Sequence, residues 1–166
     1  VTLTAPARGL LGFRSQLITQ TRGTALIHQH HEGWMPWAGD LPTRRGGPVI
    51  SDRAGTSNGH ALQNLQKRSE LFIGPGELVY EGMVVGENSR PEDLIANPTK
   101  TKQLTNVRAV GSDEAIKLTR PREMSLELAI EWIEDDELVE VTPESIRVRK
   151  RYLSEADRKI AAKKRS

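Results

Sequence analysis

Cysteine is absent from all 166 residues of the sequence. Disulfide bonds and thiolate-ligated metal sites are therefore excluded, which fits a cytoplasmic protein. No apolar run approaches the roughly 20 residues that a membrane-spanning helix needs, and residues 1–14 lack the pattern of a signal peptide. No G-x-x-x-x-G-K-[ST] loop occurs, so we expect no phosphate-cradling nucleotide site in this chain. These absences predict a soluble protein without a membrane partner.

Charge is present in both signs but is unevenly distributed. The formal net charge is only +2. Residues 123–144 hold nine acidic residues and no Lys or Arg, whereas residues 145–166 hold nine basic residues against two acidic ones. An asymmetry of this kind favours an anionic partner at the C-terminal end, most often a nucleic acid.

Residues 1–33 show the pattern of one small structural unit. Alternating apolar residues predict a strand over Val1–Ala5, the spacing of Leu10, Phe13 and Leu17 predicts a helix over residues 7–20, and residues 24–30 form a second predicted strand. Two strands and one helix cannot cover both faces of a sheet. We therefore interpret this region as half of a small α+β domain whose other half lies outside the sequence.

The rest of the chain alternates short apolar runs with turn residues, which predicts an α+β fold with a mainly β second part. A helix is expected over residues 58–68, and Ser125 is expected to cap a second helix over residues 126–134, with Leu126, Ala129, Ile130 and Ile133 on its apolar face. The predicted strands cover residues 49–51, 71–73, 78–80, 83–85, 107–110, 115–118, 138–141 and 145–151.

The region from Glu87 to Gln103 has no periodic apolar face and is rich in Pro, Asn and Thr, which predicts a long loop. Loops of this length are usually functional or disordered. The loop carries the cations Arg90, Lys100 and Lys102, and Arg108 follows shortly after its end. These cations suit a partner lined by phosphates. A solvated insertion without function is the alternative.

The last predicted strand carries a row of cations. Because side chains alternate along a strand, Ile146 and Val148 should face inward while Arg147, Arg149 and Arg151 face outward. We expect this row, together with Lys150, to hold an RNA backbone.

Two further functions stay open at this point. The cluster His28, His30 and His31 would suit a metal-dependent hydrolase, with the acidic run of residues 134–137 as a second possible metal site. The acidic helix of residues 126–134 would instead suit a protein-interaction domain with a basic partner.

Several segments, in order along nearly the whole chain, together resemble the C-terminal portion of the TypA/BipA translational GTPases. Ser69 departs from the family pattern, where glycine is usual. The resembling segments are Pro6–Arg14, Gly74–Gly76, Val79–Glu87, Leu104–Arg108, Asp136–Pro143 and Ser145–Arg147.

The resemblance implies a domain organisation. Residues 1–37 would be the second half of a ferredoxin-like domain, as in elongation factor G, with a connector. Residues 38–151 would be the family's own C-terminal domain, and residues 152–166 a basic tail. An incomplete half-domain exposes unpaired strand edges, so we expect self-association through it.

The resemblance also implies a function without catalysis in this chain. The parent protein would bind the bacterial ribosome near its A site and would hydrolyse GTP, with Mg²⁺, in an N-terminal domain that the sequence does not include. The long loop would reach the peptidyl-transferase region and touch the acceptor arm of tRNA. The residues expected to contact rRNA or tRNA are Arg90, Lys100, Lys102, Thr105, Asn106, Arg108, Arg147, Arg149, Lys150 and Arg151.

Overall fold

The structure, a computed structural model, describes residues 1–10, 12–39, 44, 46–101 and 117–165, with the backbone alone at Ser15 and Arg165. It confirms the α+β fold class, with one dominant sheet and a few short helices. No helix in these ranges is long and apolar enough to cross a membrane.

Eight strands and four helices make up the described part of the chain, preceded by a 3₁₀ turn at Ala7–Leu10. The helices are α1 (Phe13–Gln20), α2 (Gly59–Leu65), α3 (Leu126–Trp132) and α4 (Glu155–Arg165). The strands are β1 (Pro48–Ser51), β2 (Gly55–Thr56), β3 (Ser69–Leu71), β4 (Leu78–Val79), β5 (Met83–Asn88), β6 (Leu94–Ala96), β7 (Glu137–Val141) and β8 (Ile146–Lys150).

Strand β5 organises the main sheet, whose order is β6-β1-β5-β8-β7 with β3 also paired to β5. One edge of β5 pairs antiparallel with β1, and its other edge pairs with β8 at Val84 and with β3 at Gly86. Strand β6 adds to β1 in the parallel sense. Strands β2 and β4 form a separate two-stranded sheet.

The sheet has an apolar core on each face because successive side chains of β5 point in opposite directions. Met83 and Val85 face α2 and pack with its buried Leu62 and Leu65. Val84 faces the other way and packs in a second core with residues of β8 and α3. Each fully buried Leu or Val side chain stabilises the fold by about 1.5–3 kcal/mol relative to an exposed one.

Two strand predictions in the N-terminal region are wrong. Residues 1–5 and 24–30 form no strand. An extended segment becomes a strand only when a neighbour accepts and donates its ladder hydrogen bonds. No such neighbour lies among the described residues, so alternation alone was insufficient.

The predicted long loop is shorter than the sequence indicated. Strand β5 continues past Val85 to Asn88, and β6 forms within the predicted loop, with Ala96 buried against the core. A three-residue run such as Leu94–Ala96 shows no periodicity of its own, and only its parallel pairing with β1 defines it as a strand. The predicted strand at 107–110 and the first half of that at 115–118 lie outside the described residues.

Helix α3 confirms its predicted cap and, at Ala129 and Ile133, part of its predicted face. The Ser125 hydroxyl accepts a hydrogen bond from the Leu128 N–H at 3.2 Å. The helix ends at Trp132 rather than at residue 134, and Trp132 is buried whereas Ile130 is 58 % exposed. Trp132 follows the fully buried Ala129 by about one turn, so the inward face of the helix passes through these two residues rather than through Ile130.

Candidate nucleic-acid interface

Strand β8 presents Arg147 and Arg149 on the face opposite the buried Val148, as the alternation predicted. Both arginines are half-buried. Arg147 lies across from Glu140 on β7, and the Glu140 carboxylate accepts a 2.7 Å hydrogen bond from the Tyr80 hydroxyl. Burial and this hydrogen bond raise the pKa of Tyr80 above its ordinary value. The acidic residue paired with Arg147 across the two strands is therefore already engaged by Tyr80.

Lys150 does not belong to this row. It shares the inward face with Val148, and its side chain is only 2 % exposed. Its ammonium lies 2.7 Å from Asp136, 3.0 Å from Glu137 and 3.3 Å from Asp93. Since a strand alternates strictly, a residue two positions from Val148 must point the same way. Lys150 is thus held by carboxylates inside the protein and is removed from the predicted contact surface.

Arg44 completes this group, which we call the buried ion cluster: Arg44, Glu137 and Lys150, with Asp93, Glu134 and Asp136 at its rim. The Arg44 guanidinium binds both carboxylate oxygens of Glu137, at 2.5 and 2.8 Å, and lies 4.1 Å from the centre of the Trp132 ring. Burial opposes the charge on Arg44 and Lys150, but the surrounding carboxylates outweigh it and raise the pKa of both.

The buried ion cluster also explains the acidic run of residues 134–137. Its inward carboxylates bind Arg44 and Lys150 rather than a divalent cation. The histidines at 28, 30 and 31 are exposed. Across the described ranges, no three or more His, Asp and Glu residues are grouped so that they could hold a metal ion.

The remaining predicted contacts are distributed over separate segments. Arg90 and Lys100 are exposed, and the Arg90 carbonyl accepts a 2.7 Å hydrogen bond from the Gly47 N–H. Arg151 is exposed just past the end of β8. The other four predicted contacts lie outside the described residues; they are Lys102, Thr105, Asn106 and Arg108.

Sequence reasoning missed Arg44, which binds Glu137, and Trp132, whose ring lies under the Arg44 guanidinium. One signal was available: in the run Glu137–Val141, alternation places Glu137 on the same face as Val139, which packs against the second core. A carboxylate on an inward face requires a buried cation, because an isolated buried charge is strongly unfavourable.

The sequence match decides the family. A model of the TypA/BipA C-terminal domain matches residues 46–155, well over half of the chain. The chain belongs to the TypA/BipA family. The matched range includes the main sheet, α2, α3 and every member of the buried ion cluster except Arg44.

Individual TypA/BipA relatives agree with the domain match. The chain is 50 % identical over 159 residues to the large ribosomal subunit assembly factor BipA of Salmonella typhimurium, and 49 % identical over 159 residues to that of Escherichia coli K12. It is 48 % identical over 145 residues to the BipA of Synechocystis. These alignments cover 94, 94 and 87 % of the chain but 26, 26 and 24 % of the relatives. The chain thus spans about a quarter of the length of the curated relatives it matches.

Proposed function

We propose that this chain is the region by which a ribosome-associated TypA/BipA GTPase binds ribosomal RNA. The observation that carries the proposal is the identity of about half of its residues with proteins named large ribosomal subunit assembly factors. The distribution of charge supports it. Cations on the sheet face at Arg147 and Arg149, and on exposed turns at Arg90 and Lys100, are the groups that bind RNA phosphates.

The available cations favour recognition by shape rather than by base sequence. Ribosomal RNA presents phosphates and 2′-hydroxyls over folded surfaces, whereas base-specific recognition of single strands uses aromatic platforms. Aromatic residues are only 4 % of this sequence, and Trp132, the one tryptophan of residues 46–155, is buried under Arg44. Affinity would therefore come from charge and fit.

The finer parts of the proposal concern the region around residues 89–106. We propose that it touches the acceptor arm of tRNA near the ribosomal A site, through Arg90, Lys100 and the four cationic or polar residues outside the described ranges. GTP hydrolysis with Mg²⁺ would belong to another part of the parent protein, with this chain supplying RNA contacts in the cytoplasm.

Ribosome co-sedimentation across a salt series tests the proposal. The variant Arg147→Gln/Arg149→Gln removes the β8 row, and a second variant changes Arg90, Lys100, Lys102 and Arg108 to Ala. Each lost phosphate contact should make the plot of log K against log salt shallower by roughly 0.7–0.9.

The matched control is Arg53→Gln, because Arg53 is an exposed arginine that pairs with its neighbour Asp52. Wild-type binding with an unchanged slope in both variants would refute the proposal. If only the β8 variant loses ribosome binding, the interface is restricted to the sheet face, and the proposed contact by residues 89–106 is contradicted.

A further inference from the structure

We propose a second RNA contact, a groove at the C-terminal end of α2 that binds backbone phosphates through Lys67 and Arg68. The inference rests on the proposed function and adds a site to it. The groove encloses about 570 Å³ and lies between the end of α2, the start of β3, the end of β5 and residues 119–120. Lys67, Arg68 and Arg120 supply its positive charge.

The groove has rigid walls. The Ser89 N–H and hydroxyl both donate to the Arg68 carbonyl at 2.9 Å, which fixes the turn that carries Arg68 against the end of β5. On the opposite wall, the Gln66 amide donates to the Lys117 carbonyl at 2.7 Å and accepts from the Thr119 N–H at 3.0 Å. Cations on preorganised walls bind a ligand with a smaller ordering cost.

The charges in the groove leave Lys67 and Arg68 available. The two acidic residues of the groove, Glu70 and Glu87, each lie 2.9 Å from Arg122, so both carboxylates already have a cationic partner. Lys67 contacts only the neutral Asn64 amide oxygen, at 3.3 Å, and the Arg68 side chain makes no hydrogen bond or ion pair with any residue that the structure describes. Arg120 forms an ion pair with Glu123, so its charge is less available to a phosphate than the charges of Lys67 and Arg68.

The position of the groove connects it to the proposed interface. Arg90 directly follows Ser89 on the groove wall, so the exposed Arg90 and Arg68 flank the same turn. Pro98 and Lys117 are each held at one end of α2. The Pro98 carbonyl accepts a hydrogen bond from the Asn58 N–H at the start of the helix, and the Lys117 carbonyl accepts one from the Gln66 amide at its end. A helix of seven residues is about 10 Å long, so both lie within reach of one RNA strand. This continuity favours RNA over an acidic protein segment.

The test measures binding of the 166-residue chain to purified large ribosomal subunits between 0.05 and 0.2 M salt. For Lys67→Gln/Arg68→Gln we expect a Kd increase of about tenfold and a salt slope that is shallower by about 2. The control Arg53→Gln removes an exposed arginine that pairs with Asp52 outside the groove, and it should match the wild type. Arg68→Lys should keep the slope, because it retains the charge.

The outcomes separate the groove from the proposed function. A groove variant equal to its control, while Arg147→Gln/Arg149→Gln loses binding, would overturn the groove and leave the proposed function standing. No binding by the wild type would overturn both. If the groove variant binds ribosomal subunits like the wild type but no longer binds a poly-glutamate peptide that the wild type binds, the occupant is an acidic protein segment and the RNA assignment is overturned. Circular dichroism of each variant confirms folding, which we expect because neither cation holds the structure together.

Discussion

Replacing Glu137 by Gln tests the central structural claim, that the buried ion cluster holds the sheet to residue 44. The Glu137 side chain is fully buried and binds Arg44 and Lys150 at once. Glutamine keeps the size and shape of the side chain but removes its charge. The substitution therefore leaves two buried cations facing a neutral amide whose NH₂ group cannot accept a hydrogen bond.

The expected loss in the free energy of unfolding is about 3 kcal/mol. Removing one partner of a buried ion pair costs about 3–5 kcal/mol because the other charge is left uncompensated. The lower end applies because Lys150 keeps Asp136 and Asp93, and Arg44 keeps Glu134 at 3.5 Å. At roughly 2–4 °C per kcal/mol for a chain of this size, Tm should fall by roughly 6–12 °C.

Urea and thermal unfolding of the 166-residue chain measure this effect, with Asp93→Asn as the matched control. Asp93 also lies beside Lys150, at 3.3 Å, but its side chain is 50 % exposed. Exposed ion pairs contribute at most about 1 kcal/mol, so this control should change stability little. Equal losses for Glu137→Gln and Asp93→Asn would refute the assignment of Glu137 as the buried centre of the cluster.

Four further predictions concern single features. Gly82→Ala should destabilise the fold and lower Tm, because Gly82 has φ +83° and an added Cβ would lie 2.6 Å from the Leu153 Cα. Ser125→Ala should cost about 1 kcal/mol in urea unfolding through loss of the α3 cap. Because the pKa of Lys150 is raised, its stabilisation is present below its ordinary value of 10.5 and is lost as pH rises through the folded value. Unfolding midpoints of wild type and Lys150→Met should therefore converge above that pH. Finally, exposed apolar residues before residue 38, such as Trp34, predict concentration-dependent association, and light scattering that shows a monomer at all concentrations would contradict it.

The sheet was largely predictable from the sequence because its strands carry their own signal. The runs at 49–51, 83–85 and 138–141 are apolar, short and bounded by turn residues, and each lies within or overlaps an observed strand. The cap at Ser125 and the presence of a helix within residues 58–68 followed from local chemistry in the same way. Family membership was recognisable because the resembling segments extend along most of the chain.

The errors share one physical cause, which is that the deciding partner is distant in sequence. Strand β6 exists because β1 lies beside it, and residues 24–30 lack such a neighbour among the described residues. Lys150 was placed outward by its charge, although alternation places it with Val148. Its partner Asp93 lies 57 residues away, as 150 minus 93, in a region predicted to be loop. Tertiary contacts of this kind override local preference.

The two faces of β8 differ in how their charges are compensated. Lys150 and Arg44 are surrounded by carboxylates within the protein, so their charges are screened little by added salt. Arg147, Arg149 and the groove cations have few or no internal partners and are open to counterions. Rising ionic strength should therefore weaken RNA binding well before it affects the fold. The acidic run that follows α3 consequently has a structural role: it neutralises the inward cations, which leaves the outward ones as the charge that the proposed RNA partner would meet.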